Sequence, residues 1–172
     1  MQDVEIDLLR SVESFIFRET LLADENRYEA WEQLWADDGT YWVPLLVGDD
    51  PYTDSSIVFD NRRRVGIRVR QLIEGHRPTQ TPKSRIRRVV SNIELVRPDD
   101  ELGLPEPLGP SHWDVGAFAS FVGVEAKEGH RNLIAGRTLY GLRSTEDGFR
   151  LVLKRVELVD SDMPLRTLSF LI

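Results

Sequence analysis

The chain has 172 residues, 41% of them hydrophobic, which supplies one sizeable core and leaves no length for a second domain, so residues 1–172 are expected to form a single domain. It contains no cysteine, which excludes disulfides, thiolate nucleophiles, Cys-ligated zinc and all-Cys iron–sulfur clusters. A net charge of −7 argues against nucleic acid as a partner, and the apolar stretches, of which Gly116 to Val124 is typical, reach about half the length of a membrane span. With an acidic N-terminus in place of a basic signal, the expected location is the cytoplasm.

From Val4 to about Glu19, Leu8, Leu9, Val12, Phe15 and Ile16 recur at three- and four-residue spacings and predict an amphipathic helix. Asp24 is a candidate cap for a second helix that places Tyr28, Trp31, Leu34 and Trp35 on one face and ends at Asp37-Asp38-Gly39. Thr40-Tyr41-Trp42-Val43 then switches to strand-forming residues, and Pro44 closes the run. Asp54-Ser55-Ser56 reads as the cap of a third helix running through Ile57, Val58 and the arginine cluster to Ile73, with Gly75 and Pro78 ending it. Gly66 inside that helix marks a close approach by another element, the alternative being a break in the helix.

From Ser84 onward the pattern is β, with strands predicted over Arg85 to Val96, Val115 to Ala126, Asn132 to Arg143, Phe149 to Asp160 and Thr167 to Ile172. Lys127-Glu128-Gly129-His130 and Glu146-Asp147-Gly148 are hairpin loops, so the strands they join are antiparallel. Arg97 to His112 carries four prolines and reads as an exposed connection. Both faces of two strands carry apolar residues. Ala117, Ala119 and Phe121 oppose Phe118, Val122 and Val124, while Phe149, Leu151 and Leu153 oppose Val152, Val156 and Leu158. One face packs on the helices, and the other is expected to be covered by another polypeptide, the alternative being a strongly curled sheet that buries part of both faces within one molecule.

The arginines cluster at Arg62, Arg63, Arg64, Arg68 and Arg70 and again at Arg85, Arg87 and Arg88, in a chain with three lysines. Their planar forks suit carboxylates at a protein interface, the competing reading being a solvated helix face. A catalytic site is hard to assemble from the sequence. His112-Trp113-Asp114 with a distant His130 could build a two-histidine, one-carboxylate iron site, set against plain surface histidines. Asp37 and Asp38 near Tyr41 could line a proton-transfer pocket, set against simple helix termination. Nucleophile elbows, phosphate loops and His-Glu-x-x-His helices are missing, and a Rieske centre, which needs two cysteines, cannot form here.

Arg27-Tyr28-Glu29-Ala30-Trp31-Glu32-Gln33-Leu34-Trp35, followed by Asp38-Gly39-Thr40-Tyr41-Trp42-Val43-Pro44, resembles the acidic turn, aromatic strand and proline of the small (β) subunits of aromatic-ring-hydroxylating dioxygenases. Pro82 to Ile93 is similar to that family's Pro-x-Ser-Arg…Ser-Asn strand, and Gly136-Arg137…Leu142-Arg143…Gly148-Phe149-Arg150-Leu151…Arg155-Val156 to its final hairpin. The resemblance covers nearly the whole chain and implies an α+β, cone-shaped, nuclear-transport-factor-two-like (cystatin-like) fold, a curved antiparallel sheet packed on N-terminal helices. It implies a structural subunit without catalytic, cofactor or metal residues of its own. A dioxygenase α subunit, commonly three of each chain with the small subunits self-associating as a trimer, would carry a Rieske [2Fe–2S] cluster and mononuclear iron, with a reductase passing electrons from NAD(P)H. Arg85, Arg137, Arg143, Arg155, Phe170 and Ile172 are the candidate subunit contacts, the arginines from their family-like strand positions and the last two from an apolar C-terminal strand. The same cone also hosts isomerases, dehydratases and small-molecule binders, so a stand-alone enzyme or binding module is the alternative.

Overall fold

The computed structural model describes residues 2–75, 83–97, 100–127, 129–162 and 171–172. The first helix, α1 (Gln2–Asp24), buries the stripe of Val12, Phe15, Ile16, Leu22 and Ala23. It runs to Asp24 because that carboxylate has inward-facing partners: Oδ2 accepts the Arg88 backbone N–H at 2.8 Å and Oδ1 the Arg88 Nε–H at 2.7 Å. Asp24 therefore joins the helix to a strand and does not cap the next helix.

The second helix, α2 (Tyr28–Glu32), is shorter than predicted, and Leu34 and Trp35 lie outside it. The Leu34 carbonyl accepts the Leu151 N–H at 2.8 Å, so pairing with the last strand captures the chain and β1 (Trp35–Pro44) begins at once. Trp31, Trp35 and Tyr41 pack edge-on or tilted, with centroids 5.3–6.0 Å apart, and hold this junction. The predicted cap at Asp54-Ser55-Ser56 is also overturned. β2 (Ser56–Asn61) pairs antiparallel with β1, which suits the β-branched Ile57 and Val58, and α3 (Arg62–Glu74) starts only after Asn61, whose Oδ1 accepts the Arg64 N–H. A side chain at Gly66 would meet Glu32 Oε1 at 2.9 Å, the close approach expected there.

The remaining strands are β3 (Arg85–Leu95), β4 (Val115–Lys127), β5 (His130–Thr145) and β6 (Gly148–Leu158). The six strands lie in the order β2-β1-β6-β5-β4-β3, all neighbours antiparallel except β1 and β6, which run parallel. Of the predicted terminal strand, Thr167 to Phe170 lies outside the described residues, while Leu171 and Ile172 are buried in the main core. The helices fill the concave side, where Val12, Ile16, Trp31, Val65 and Val69 meet inward-facing Ala117, Ala119, Phe121, Leu151 and Val156.

The predicted faces of β6 need one revision. A register shift between Gly141 and Leu142 on β5, opposite Leu153 and Leu151, turns the strand over. Leu151 consequently joins the main core, whereas Leu153 lies on the convex side with Trp42 and Leu139.

The connection between β3 and β4 is not a free loop. It folds back over the convex face, where Leu102, Leu104 and buried Leu108 pack against Trp42, Leu139 and Leu153. Trp113 closes this layer. Its ring lies so close to Gly116 and Gly141 that a Cβ on either would come within 2.4–2.9 Å of it, and its Nε1–H donates to the Leu108 carbonyl at 3.2 Å. Over Trp42, Leu139 and Leu153, cover for the convex face thus comes from the chain's own proline-rich segment and not from a second polypeptide.

Candidate functional site

The concave interior holds the chain's most unusual polar group. Glu19, one helical turn beyond Phe15 and Ile16, points into the core with 0% exposure, and Lys154 of β6 meets it from the sheet at 2.6 Å. Trp31 Nε1–H donates to Glu19 Oε1 at 2.6 Å and the Tyr140 hydroxyl to Oε2 at 3.3 Å. The Lys154 ammonium also sits 5.8–5.9 Å from the ring centroids of Trp31, Tyr41 and Tyr140. A second buried pair joins Asp24, at the end of α1, to Arg88 of β3, so two acids and two bases balance. Burial works to raise the Glu19 carboxyl, but the charge and hydrogen bond of Lys154, the charge of Arg88 and the Trp31 bond outweigh it and hold it below the usual carboxylate range. Burial lowers Lys154 against the pull of Glu19. Burial also pushes the Tyr41 hydroxyl up to about 12, and that hydroxyl donates to the Ile172 carbonyl and accepts the Ile172 N–H.

Enzymes on a cone scaffold need room beside such groups for a substrate. Among the described residues, Val90, Ala119, Phe121 and Ile172 line, with Arg88, Tyr140 and Lys154, a cavity of about 10 Å³, the space of a single water. Both carboxylates are already neutralised by buried cations, so neither is poised as a free base.

The other candidates disperse. His112 and His130 stand beyond opposite ends of β4, whose 13 residues span roughly 40 Å along the strand. Asp114 is held by the Ser144 N–H, and among the described residues no three His, Cys, Asp or Glu side chains group to hold a metal. Among the described residues the donors therefore assemble no mononuclear iron site, and the sequence, without cysteine, cannot ligate a Rieske cluster. Asp37 and Asp38 point outward while Tyr41 points into the core, so the proposed proton-transfer pocket does not form.

The candidate contact residues have different fates. Arg143 forks onto Asp38 at 2.7 and 3.0 Å and donates to the His112 carbonyl, and this hydrogen-bonded pairing holds the Asp38 carboxyl below its ordinary value. Arg137 is exposed with its guanidinium 3.8 Å above the Phe118 ring, and Arg85 is exposed on edge strand β3. Arg155 is committed within the chain: it stacks over Trp42, donates to the Leu102 carbonyl and pairs with Glu157, with little surface left for a partner. Ile172 is equally enclosed, and Phe170 lies outside the described residues. In the first arginine cluster, Arg62 pairs with Glu32, and Arg64 and Arg68 with Asp60.

The Glu19–Lys154 pair escaped the sequence reading, although a signal was there. Glu19 lies in phase with Val12 and Ile16, and Lys154 shares its strand face with Val156 and Leu158; charges on two apolar stripes demand a partner.

Comparison with known proteins places this curved six-stranded sheet in a family. The chain is 29% identical over 160 residues to the small oxygenase component of the p-cumate 2,3-dioxygenase system of Pseudomonas putida, covering 90% of this chain and 81% of that one. It is 24% identical over 154 residues to the anthranilate 1,2-dioxygenase small subunit of Acinetobacter baylyi, covering 86% and 87%. The structure of naphthalene 1,2-dioxygenase with indole bound shares the fold, with a TM-score of 0.75 at 14% identity over 96% of this chain and 86% of that one. The family model for the ring-hydroxylating beta subunit matches residues 18–164, a span containing both buried ion pairs, the whole sheet and the proline-rich cover, and the chain belongs to that family.

Proposed function

We propose that this chain is the non-catalytic base of an aromatic-ring-hydroxylating dioxygenase, on which three large (α) subunits assemble with three copies of this one. The observation that carries this reading is the pairing of the interior charges: Glu19 and Asp24 are each held by a buried cation, and the cavity of about 10 Å³ beside Arg88 and Lys154 admits no aromatic ring. In this assignment the Rieske cluster and mononuclear iron belong to the large subunit, where the donor set missing here would be supplied, and a reductase delivers electrons from NAD(P)H. The small subunits associate with one another as a trimer. The complex works in the cytoplasm.

Co-expression with a Rieske-type large subunit tests the proposal. The expected outcome is a purified complex with equal numbers of both chains, whose iron and whose oxidation of anthranilate, p-cumate or naphthalene require the large chain. Turnover by this chain alone, with stoichiometric tightly bound iron, would overturn it in favour of a stand-alone enzyme.

A further inference from the structure

On the convex side, the part of the sheet left bare by the proline-rich cover is apolar in rows. Val89 of β3 pairs with Val122 of β4, Val122 with Ala135 of β5, and the Val159 N–H donates to the Ala135 carbonyl, giving one row across four chain segments. The next row joins Val124 to Leu133. Their inward neighbours Ile86, Phe121, Ile134 and Leu158 are buried, so alternation points this set outward, and Val89, Leu133 and Val159 are 66%, 70% and 77% exposed. Beyond these rows the surface turns basic: Lys83, Arg85, Lys127 and Arg131 line an open cleft of about 600 Å³.

Toward the other edge of the sheet, the connection between β1 and β2 has the complementary character. Leu45, Leu46, Val47 and Tyr52 are exposed there, Val47 at 74%, beside Asp49, Asp50 and Asp54. These acids order the loop by accepting backbone N–H groups: Asp49 from Leu46, Asp50 from Tyr52 and Asp54 from Asp50. The loop is thus a preformed apolar and acidic knob, and the strand order places it three strands from β4.

We infer that the apolar rows and basic cleft of one copy receive the Leu45–Asp54 loop of a second copy. Face-to-face pairing of two basic clefts would set like charges together, whereas head-to-tail contact matches acid to base and valine to leucine. Two different, non-overlapping surfaces make a heterologous contact, which generates a closed ring when the rotation closes. The inference rests on the self-association proposed above and identifies the surfaces that carry it.

The test is light scattering on the purified full chain, comparing wild type with Leu133→Glu on the sheet side and Val47→Glu on the loop side. Wild type is expected to form species larger than a dimer, and each variant to associate about tenfold or more weakly with unchanged circular dichroism. An equimolar mixture of the two variants should give a dimer and nothing larger, because one intact pair of surfaces remains. Should Leu133→Glu fail to fold, Arg131→Glu replaces it on the sheet side. Association unchanged in both variants overturns the surface assignment and leaves the subunit role standing; blocked variants that do not dimerise on mixing overturn the pairing of these two surfaces. A strictly monomeric wild type overturns self-association itself, and this inference with it.

Discussion

Replacing Lys154 by methionine should destabilise the chain in a manner that reverses its dependence on pH. The substitution keeps the volume and apolar stem but removes the cation 2.6 Å from Glu19, leaving a carboxylate of 0% exposure with Trp31 and Tyr140 as its bonded donors. Breaking a buried pair on one side costs about 3–5 kcal/mol. At roughly 2–4 °C per kcal/mol for a domain of this size, melting should fall by roughly 6–20 °C at pH 7. In the wild type the Glu19 carboxyl is held below its ordinary value, so its contribution is present above the ordinary carboxylate range and is lost as pH falls through the lowered folded value. Without Lys154 burial prevails and raises that carboxyl, and the variant then loses stability as pH rises through the raised value. The gap between the two proteins should therefore be small near pH 4 and widest near pH 7. Thermal unfolding followed by circular dichroism at fixed protein concentration from pH 4 to 8 measures it, with Glu19→Gln/Lys154→Met expected to recover most of the loss. A loss below about 1 kcal/mol at pH 7, or one of equal size at every pH, would refute the assignment of a stabilising buried pair.

Trp113→Ala removes the lid over Gly116 and Gly141 and should cost about 3–5 kcal/mol, with the segment around Leu102 to Leu108 becoming the first site of limited proteolysis. Deleting Leu171 and Ile172 uncovers the Tyr41 hydroxyl and two buried side chains and should cost about 3–6 kcal/mol, read as a lowered urea midpoint; an unchanged midpoint would mean that the interior is closed without them. Arg143→Ala releases Asp38 from a half-exposed pair and should change stability by at most about 1 kcal/mol, so any larger loss of complex with the large subunit would reveal a contact at Arg143.

Much of the architecture was legible locally. The stripe of Val12, Phe15 and Ile16 announces α1, and alternation with glycine-bearing turns announces β4, β5 and β6 to within a few residues, because a period of 3.6 or 2 is a property of neighbouring positions. The family too could be read from ordered short motifs, which survive in sequence even where identity to relatives is 24–29%. What needed the tertiary structure was every feature decided by a distant partner. Trp35 has helical phase with Tyr28 and Trp31, yet it leaves the helix because Leu151, far along the chain, bonds to the Leu34 carbonyl. Asp24 looks like a cap until Arg88 takes both of its oxygens, and Ser56 to Asn61 looks like the start of a helix until β1 offers it a ladder. The proline-rich segment reads as exposed because prolines prevent regular structure, but they do not prevent Leu102, Leu104 and Leu108 from reaching apolar surface on the sheet. Glu19 and Lys154 are separated by 135 positions, and only the folded chain brings their charges to 2.6 Å.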